Sequence, residues 1–308
     1  MPAIIRCDRL CKRFGTIQAL DGLSFQIAAK ASAGLVGPNG AGKTTLLSLL
    51  CGFTLPSSGS IEVLGKRPGS GRLLGRIGFL PQDVALFRGI PVYKQLLFFA
   101  RLQGLDKKMA TREVNRVISQ TGIHAFTRQY PETLSQGQRK KAALAQALIG
   151  QPSIILLDEP TAGLDPVAAN QVRDIIQGLR NQNTLLISSH NLDEIKNICN
   201  EIVIIDRGRL IKHCLINELI ESHNTFTILI DAPATELILK SIESLPSVTG
   251  VRIDNTDNTR LSVIFQGRTQ DQMQISVLEV LRSKGVTVLE FRFGGDFSDR
   301  VIQLVSGQ

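Results

Sequence analysis

Between Gly37 and Thr44 the chain reads Gly37, Pro38, Asn39, Gly40, Ala41, Gly42, Lys43, Thr44, followed by Thr45. This matches GxxxxGK[ST] at every fixed position. The short apolar run Gly34–Val36 precedes it and reads as a strand. Thr44–Cys51 follows, free of breakers and ending before Gly52, and reads as a helix. Glycines let successive backbone N–H groups turn inward around phosphate oxygens. The helix adds the positive end of its dipole at the same place. In such a loop Lys43 bridges the β- and γ-phosphates and the Thr44 hydroxyl binds Mg²⁺.

A second motif fits the first. Ile154-Ile-Leu-Leu-Asp158-Glu159-Pro160 is an apolar strand ending in two acids. Asp158 at the strand end would hold Mg²⁺ through its water shell, and Glu159 would polarise an attacking water as general base. Ile4–Cys7, Leu23–Ala28, Ile61–Leu64, Ile77–Leu80 and Thr184–Ser188 read as further strands, with Ile202–Asp206 and Leu210–His213 as a final pair. Continuous apolar runs such as Ile154–Asp158 and Thr184–Ser188 are expected of buried parallel strands. Helices follow at Pro166–Leu179 and Asn191–Cys199. Between these blocks, Tyr93–Gln103, Lys108–Thr121 and Ser135–Ile149 carry apolar residues at helical spacing.

Charge divides the chain of 308 residues unevenly. The net charge is +8, yet residues 72–141 alone hold thirteen Lys and Arg against four Asp and Glu. That patch suits phosphate, nucleic acid or an anionic membrane face, or is a solvated helical surface. The five cysteines, Cys7, Cys11, Cys51, Cys199 and Cys214, are scattered and form no CxxC, so they read as reduced thiols of a cytosolic protein. No signal peptide is visible. The longest apolar candidate, Ala142–Leu157, is interrupted at Gly150-Gln151-Pro152-Ser153 and falls short of the roughly 20 residues a span needs.

A boundary near Glu221-Ser222-His223-Asn224 separates residues 1–221 from a weakly acidic tail, 222–308. The tail reads strand (Phe226–Asp231), helix (Thr235–Leu245), strand (Val248–Ile253), polar turn (Asp254–Thr259), strand (Leu261–Phe265), helix (Gln270–Lys284), strand (Val286–Phe293) and a short helix (Phe297–Val305). This βαββαβ order is ferredoxin-like.

Leu134-Ser135-Gln136-Gly137-Gln138 lies about 20 residues before Asp158, at the start of an expected helix. With the phosphate loop and Asp158-Glu159, it resembles the ATP-binding subunit of ABC transporters over residues 3–221. The resemblance implies an α/β fold: a P-loop NTPase domain of ABC type, with an antiparallel β subdomain and a helical insert at about 84–150. To this the chain adds the small α+β tail. The resemblance also assigns residues. Phe14 matches the aromatic that stacks on adenine, where Tyr is usual. Gln82 matches the glutamine that reaches Mg²⁺ and the attacking water. His190 matches the switch histidine at the γ-phosphate. Ser135, Gly137 and Gln138 match the signature loop that contacts ATP held by the opposite subunit. Asp165 matches the loop through which subunits communicate, and also caps the helix beginning at Pro166. Gln136 departs from the commoner Gly and restricts the backbone there. His124, His213 and His223 match no family position and read as structural or solvent-facing.

The implied cofactors are ATP and Mg²⁺, and the implied assembly is a homodimer around two MgATP. Three kinds of ABC protein fit: a transporter ATPase docked on a separate transmembrane permease, a soluble ATPase acting on DNA or ribosomes, and a regulator with little turnover. One cassette, a short insert and the presence of Glu159 and His190 favour the first, so nucleic acid is not expected as a partner. The segment Pro91–Leu105 resembles the region that receives the permease. The resemblance then implies a peripheral protein on the cytoplasmic face of the inner membrane. The tail resembles that of drug, antibiotic, lipid or polysaccharide exporters and favours export over import.

Overall fold

The computed structural model describes residues 3–221, 225–254, 257–267, 270–293 and 297–306. The tetrapeptide at 221–224 and the polar turn at 254–259 therefore lie partly outside the described residues. Two compact units are present, Met1–Cys214 and Leu215–Gln308.

In the first unit, strands β1 (Ala3–Phe14), β2 (Ile17–Ala28) and β4 (Ser58–Val63) form an antiparallel sheet in the order β2-β1-β4. The second sheet has six strands. Its order is β5 (Ile77–Leu80), β6 (Ile154–Asp158), β7 (Thr184–Ser188), β3 (Ser32–Val36), β8 (Glu201–Asp206) and β9 (Arg209–Leu215). From β5 to β8 the neighbours are parallel. β3, β6 and β7 are buried at every residue, as their unbroken apolar composition requires. β1 and β2 run well beyond the apolar stretches at 4–7 and 23–28. Their added lengths are mostly exposed or half-buried, with Leu10 and Leu20 the buried residues, and slip register at bulges, so pairing rather than hydrophobicity extends them.

Helix α1 (Lys43–Cys51) leaves the phosphate loop and packs into the core between the sheets with Leu46, Leu47, Leu49 and Leu50. The insert holds α2 (Val92–Leu102), α3 (Lys107–Thr121) and α4 (Gln136–Ala147). α3 is capped by Asp106, whose carboxylate accepts the Met109 N–H. α4 begins in a capping box between Ser135 and Gln138. α5 (Pro166–Leu179) starts at the Asp165 cap with Pro at its first position, and α6 (Leu192–Ile198) follows β7. No helix among the described residues is long and apolar enough to cross a membrane.

Among the described residues the second unit has four strands, β10 (Thr225–Ile230), β11 (Val248–Ile253), β12 (Arg260–Phe265) and β13 (Val288–Phe293). They pair antiparallel in the order β11-β12-β10-β13. Helices α8 (Glu236–Glu243) and α9 (Gln270–Ser283) supply Ile238, Ile242, Met273, Val277 and Leu281 to one core with Phe226, Ile228, Leu261 and Phe265. The division of units at Cys214/Leu215 falls a few residues before the boundary read from charge. Helix α7 (Ile216–Glu221) packs on α10 (Phe297–Ser306) and so joins the second unit.

Candidate functional site

The C-terminal ends of β3, β6 and β7 converge on a cavity of about 560 Å³. The phosphate loop forms one wall with Asn39, Gly40, Gly42, Lys43, Thr44 and Thr45. Gly42 has φ +104, and a Cβ there would lie 2.6 Å from the Ala19 carbonyl oxygen, so only glycine fits. The Lys43 ammonium curls over the loop and donates to the carbonyl oxygens of Gly37 at 2.6 Å and Pro38 at 3.0 Å. Burial lowers its pKa, and the nearby Glu159 and Asp158 charges only partly oppose this. Ala41 is buried and ties the loop down, its carbonyl accepting the Gly208 N–H at 3.0 Å.

Opposite the loop, the Thr44 hydroxyl donates to Asp158 Oδ2 at 2.9 Å. The other carboxylate oxygen, Oδ1, accepts from Ser188 Oγ at 2.5 Å. Ser188 stands directly beside Asp158 in the β6/β7 register. The Ser188 hydroxyl oxygen also accepts the Glu159 N–H at 3.0 Å. Asp158 is thus 2 % exposed yet bonded at both oxygens, and one serine joins the two acids. Glu159 is buried, and its Oε2 lies 2.7 Å from His190 Nδ1, on an imidazole that is largely exposed. Gln82, in the loop just beyond β5, completes this side of the cavity.

A hydroxyl, a carboxylate and an amide oxygen, from Thr44, Asp158 and Gln82, are hard oxygen donors of the kind Mg²⁺ takes. Direct contact between Thr44 and Asp158 shows that two of them already meet at one point. The donor chemistry fits the ion, whose remaining ligands would be phosphate oxygens and water.

Other expected residues lie outside this cavity. Phe14 does not line it: the ring is half exposed at the end of β1, with Lys12 Nζ 4.7 Å from its centroid. Ile17, Gln18 and Ala19 line that side instead. No motif marks them, because a strand edge supplies them by position. Ser135 is exposed at the N-terminus of α4, with its hydroxyl accepting the Gln138 N–H at 3.2 Å. Gln138 accepts the Ser135 N–H in return at 2.9 Å. Gln136 occupies the first helical position and has no positive φ, so the expected backbone restriction costs nothing here. Gly137 is required by packing, since a Cβ would come within 2.7 Å of Ala168 Cβ on α5. Asp165 accepts the Ala168 N–H at 2.9 Å, so the starts of α4 and α5 lie side by side. Of the unassigned histidines, His213 pairs with Glu201 at 3.1 Å, and His223 is outside the described residues.

A phosphate loop between a parallel strand and a helix, faced by a strand-end Asp-Glu pair, defines a P-loop nucleotide-binding protein. The comparisons narrow the class. Residues 20–162 match the family model described as ABC transporter. Over 292 residues the chain is 30 % identical to the uncharacterised ABC transporter ATP-binding protein YxlF of Bacillus subtilis, covering 94 % of each chain. It is 29 % identical to the linearmycin resistance ATP-binding protein LnrL of the same organism over 99 % of both chains. Against the probable sulfate/thiosulfate import ATP-binding protein CysA of Chlorella vulgaris, identity is 36 % over 68 % of this chain and 89 % of that one. Among solved structures, CbiO1 of Clostridium perfringens, part of the cbiONQ transporter complex, superposes with a TM-score of 0.63 at 29 % identity. The match covers 69 % of this chain and 88 % of CbiO1. The chain belongs to the ABC transporter family: it is an ATP-binding subunit and an ABC-type ATPase.

Proposed function

We propose that two copies of this chain close around two MgATP and drive a separate transmembrane permease, in the direction of export. One observation carries the shared site. Asn39, Gly40, Gly42, Lys43, Thr44, Gln82 and Asp158 line the cavity, while Ser135, Gly137 and Gln138 sit outside it at a helix N-terminus with Ser135 exposed. A second copy is needed to bring that dipole end to the nucleotide. In the closed site Lys43 would hold the β- and γ-phosphates, and Thr44, Asp158 and Gln82 would hold Mg²⁺. The ion, when bound, offsets charge on the phosphate oxygens. Glu159, oriented by His190, takes the proton of the attacking water.

The permease contact rests on exposed apolar surface. Phe87 and Phe98 are 46 % and 50 % exposed and cluster with Phe99, their ring centroids 5.6–6.2 Å apart. Clustered exposed aromatic rings of this kind suit a protein interaction site. Export is the reading drawn from the match to the resistance protein LnrL, which runs through the tail as well as the cassette.

The test is recovery of tagged Glu159→Gln chain with ATP from solubilised native membranes. A stoichiometric polytopic protein is expected. Recovery with ribosomes or nucleic acid alone would replace this reading with a soluble ATPase whose basic insert binds phosphate backbone. With the permease in proteoliposomes, export predicts that transported compounds stimulate ATP hydrolysis from the ATP-accessible side. Stimulation only from the opposite side would mean import.

A further inference from the structure

Lys140 lies in α4, five residues after the exposed cap Ser135, yet is only 4 % exposed. A buried ammonium is costly unless it finds partners. Its Nζ donates to the Gln82 carbonyl oxygen at 3.0 Å and lies 3.4 Å from that of Pro81. Burial lowers the Lys140 pKa, while the charges of Asp158, Asp83, Glu159 and Glu194 pull the other way. The lysine therefore sits behind the acidic wall of the nucleotide cavity and grips the backbone of the residue that lines it.

The far end of the same loop is also held. Gln95 of α2 is 1 % exposed. Its Oε1 accepts the Phe87 N–H at 2.9 Å, and its Nε2 donates to the carbonyl oxygens of Phe87 at 2.9 Å and Ile90 at 2.6 Å. The segment from Pro81 to Ile90, which has no helix or strand of its own, is thus clamped at both ends by buried side chains from two helices of the insert. One end carries Gln82 at the cavity, and the other carries Phe87 in the exposed aromatic cluster.

We infer that Lys140 is a positioning residue for ATP hydrolysis: it tethers the Gln82 main chain to α4 and so sets where the Gln82 amide stands relative to Asp158 and Glu159. Because α4 also begins at Ser135, a shift of that helix on meeting the second copy's nucleotide is transmitted to Gln82. The inference rests on the proposed role of Gln82 at the ion and the water.

The experiment compares the full chain with Lys140→Met, Lys140→Gln and Lys140→Arg. Lys140→Met is expected to lower kcat by about 10- to 100-fold, the size of a small misplacement at a reacting centre, with ATP affinity within about twofold. Amide hydrogen exchange over residues 80–90 accelerates in the same variant without nucleotide. Lys140→Gln keeps an amide N–H donor group on a shorter stem, falls between, and serves if Met does not fold. Lys140→Arg restores most of kcat and the exchange protection. Unchanged kcat and exchange in Lys140→Met would overturn the inference. A parallel loss of Tm, ATP binding and kcat that Arg does not rescue would reduce Lys140 to a structural residue. Gln82→Ala separates the two levels. If it hydrolyses ATP normally, the reading of Gln82 falls; if it is slow while Lys140→Met runs at full speed, only this inference falls.

Discussion

Glu159 has φ +47, a left-handed conformation that a side-chain-bearing residue adopts at a cost of about 1 kcal/mol or more. The backbone is held there by the Ser188 carbonyl and hydroxyl oxygens, which accept the Glu159 N–H at 3.1 and 3.0 Å. The turn points the carboxylate away from the buried strand and toward the cavity, where His190 meets it. Glu159→Gln keeps the shape and removes the base. Turnover should fall by about 10²- to 10⁴-fold with ATP binding retained, read by steady-state hydrolysis and equilibrium nucleotide titration. Normal turnover would assign the base elsewhere. Asp158-Glu159 was legible as a pair of acids at a strand end. Ser188 was not, because a serine in an apolar run carries no signal until the parallel register sets it beside Asp158.

At the scale of elements, helix α3 is joined to the segment between α4 and β6 by an ion pair whose carboxylate is buried and whose guanidinium is partly exposed. Glu113 on α3 accepts from Arg116 Nη2 at 2.6 Å and from the Gly150 N–H at 2.8 Å with Oε1, and from Arg116 Nε at 2.9 Å with Oε2. Arg116 also donates to the Leu148 carbonyl oxygen at 2.7 Å, so α3 is pinned to the end of α4 just before β6. Burial alone would raise the Glu113 pKa, but the Arg116 and Gly150 hydrogen bonds hold it below the ordinary 4.5. The folded carboxyl therefore ionises at lower pH than the unfolded one. Its contribution to stability is complete above the unfolded value and is lost as pH falls through the folded one. Glu113→Ala should cost about 1–2 kcal/mol at pH 7 in urea unfolding, because it removes charge-assisted hydrogen bonds and leaves the Gly150 N–H without its acceptor, while Arg116 keeps the Leu148 carbonyl. The gap between variant and parent should shrink under acid. A pH-independent difference would mean that packing, not charge, is what Glu113 supplies. Helical spacing in the sequence located α2, α3 and α4 but not this link, since Glu113 and Gly150 are far apart in the chain.

For the whole molecule, the proposed dimer has each chain present two incomplete halves of a site. Lys43 serves the copy that owns the cavity, and Ser135 serves the other. Lys43→Ala and Ser135→Arg chains should each be inactive alone, yet a mixture forms heterodimers with one intact shared site. ATP hydrolysis above either parent, proportional to the heterodimer fraction, is the expected result. A mixture no more active than its parents, with heterodimers demonstrated by crosslinking, would place the signature loop and the nucleotide on the same chain.

The amino-acid sequence alone determined the local chemistry: a phosphate loop, two acids on a strand end, a capped signature helix and a βαββαβ tail. Each is set by neighbours within one turn or strand, through backbone freedom, periodicity and capping. Tertiary structure decided what acts together. It put Ser188 on Asp158, Lys140 under Gln82, Gln95 around Phe87 and Ile90, and Ile17–Ala19 rather than Phe14 along the cavity. It also moved α7 into the second unit. These contacts join residues from separate elements. Sheet register and burial bring them together, and neither is a property of a short stretch of chain.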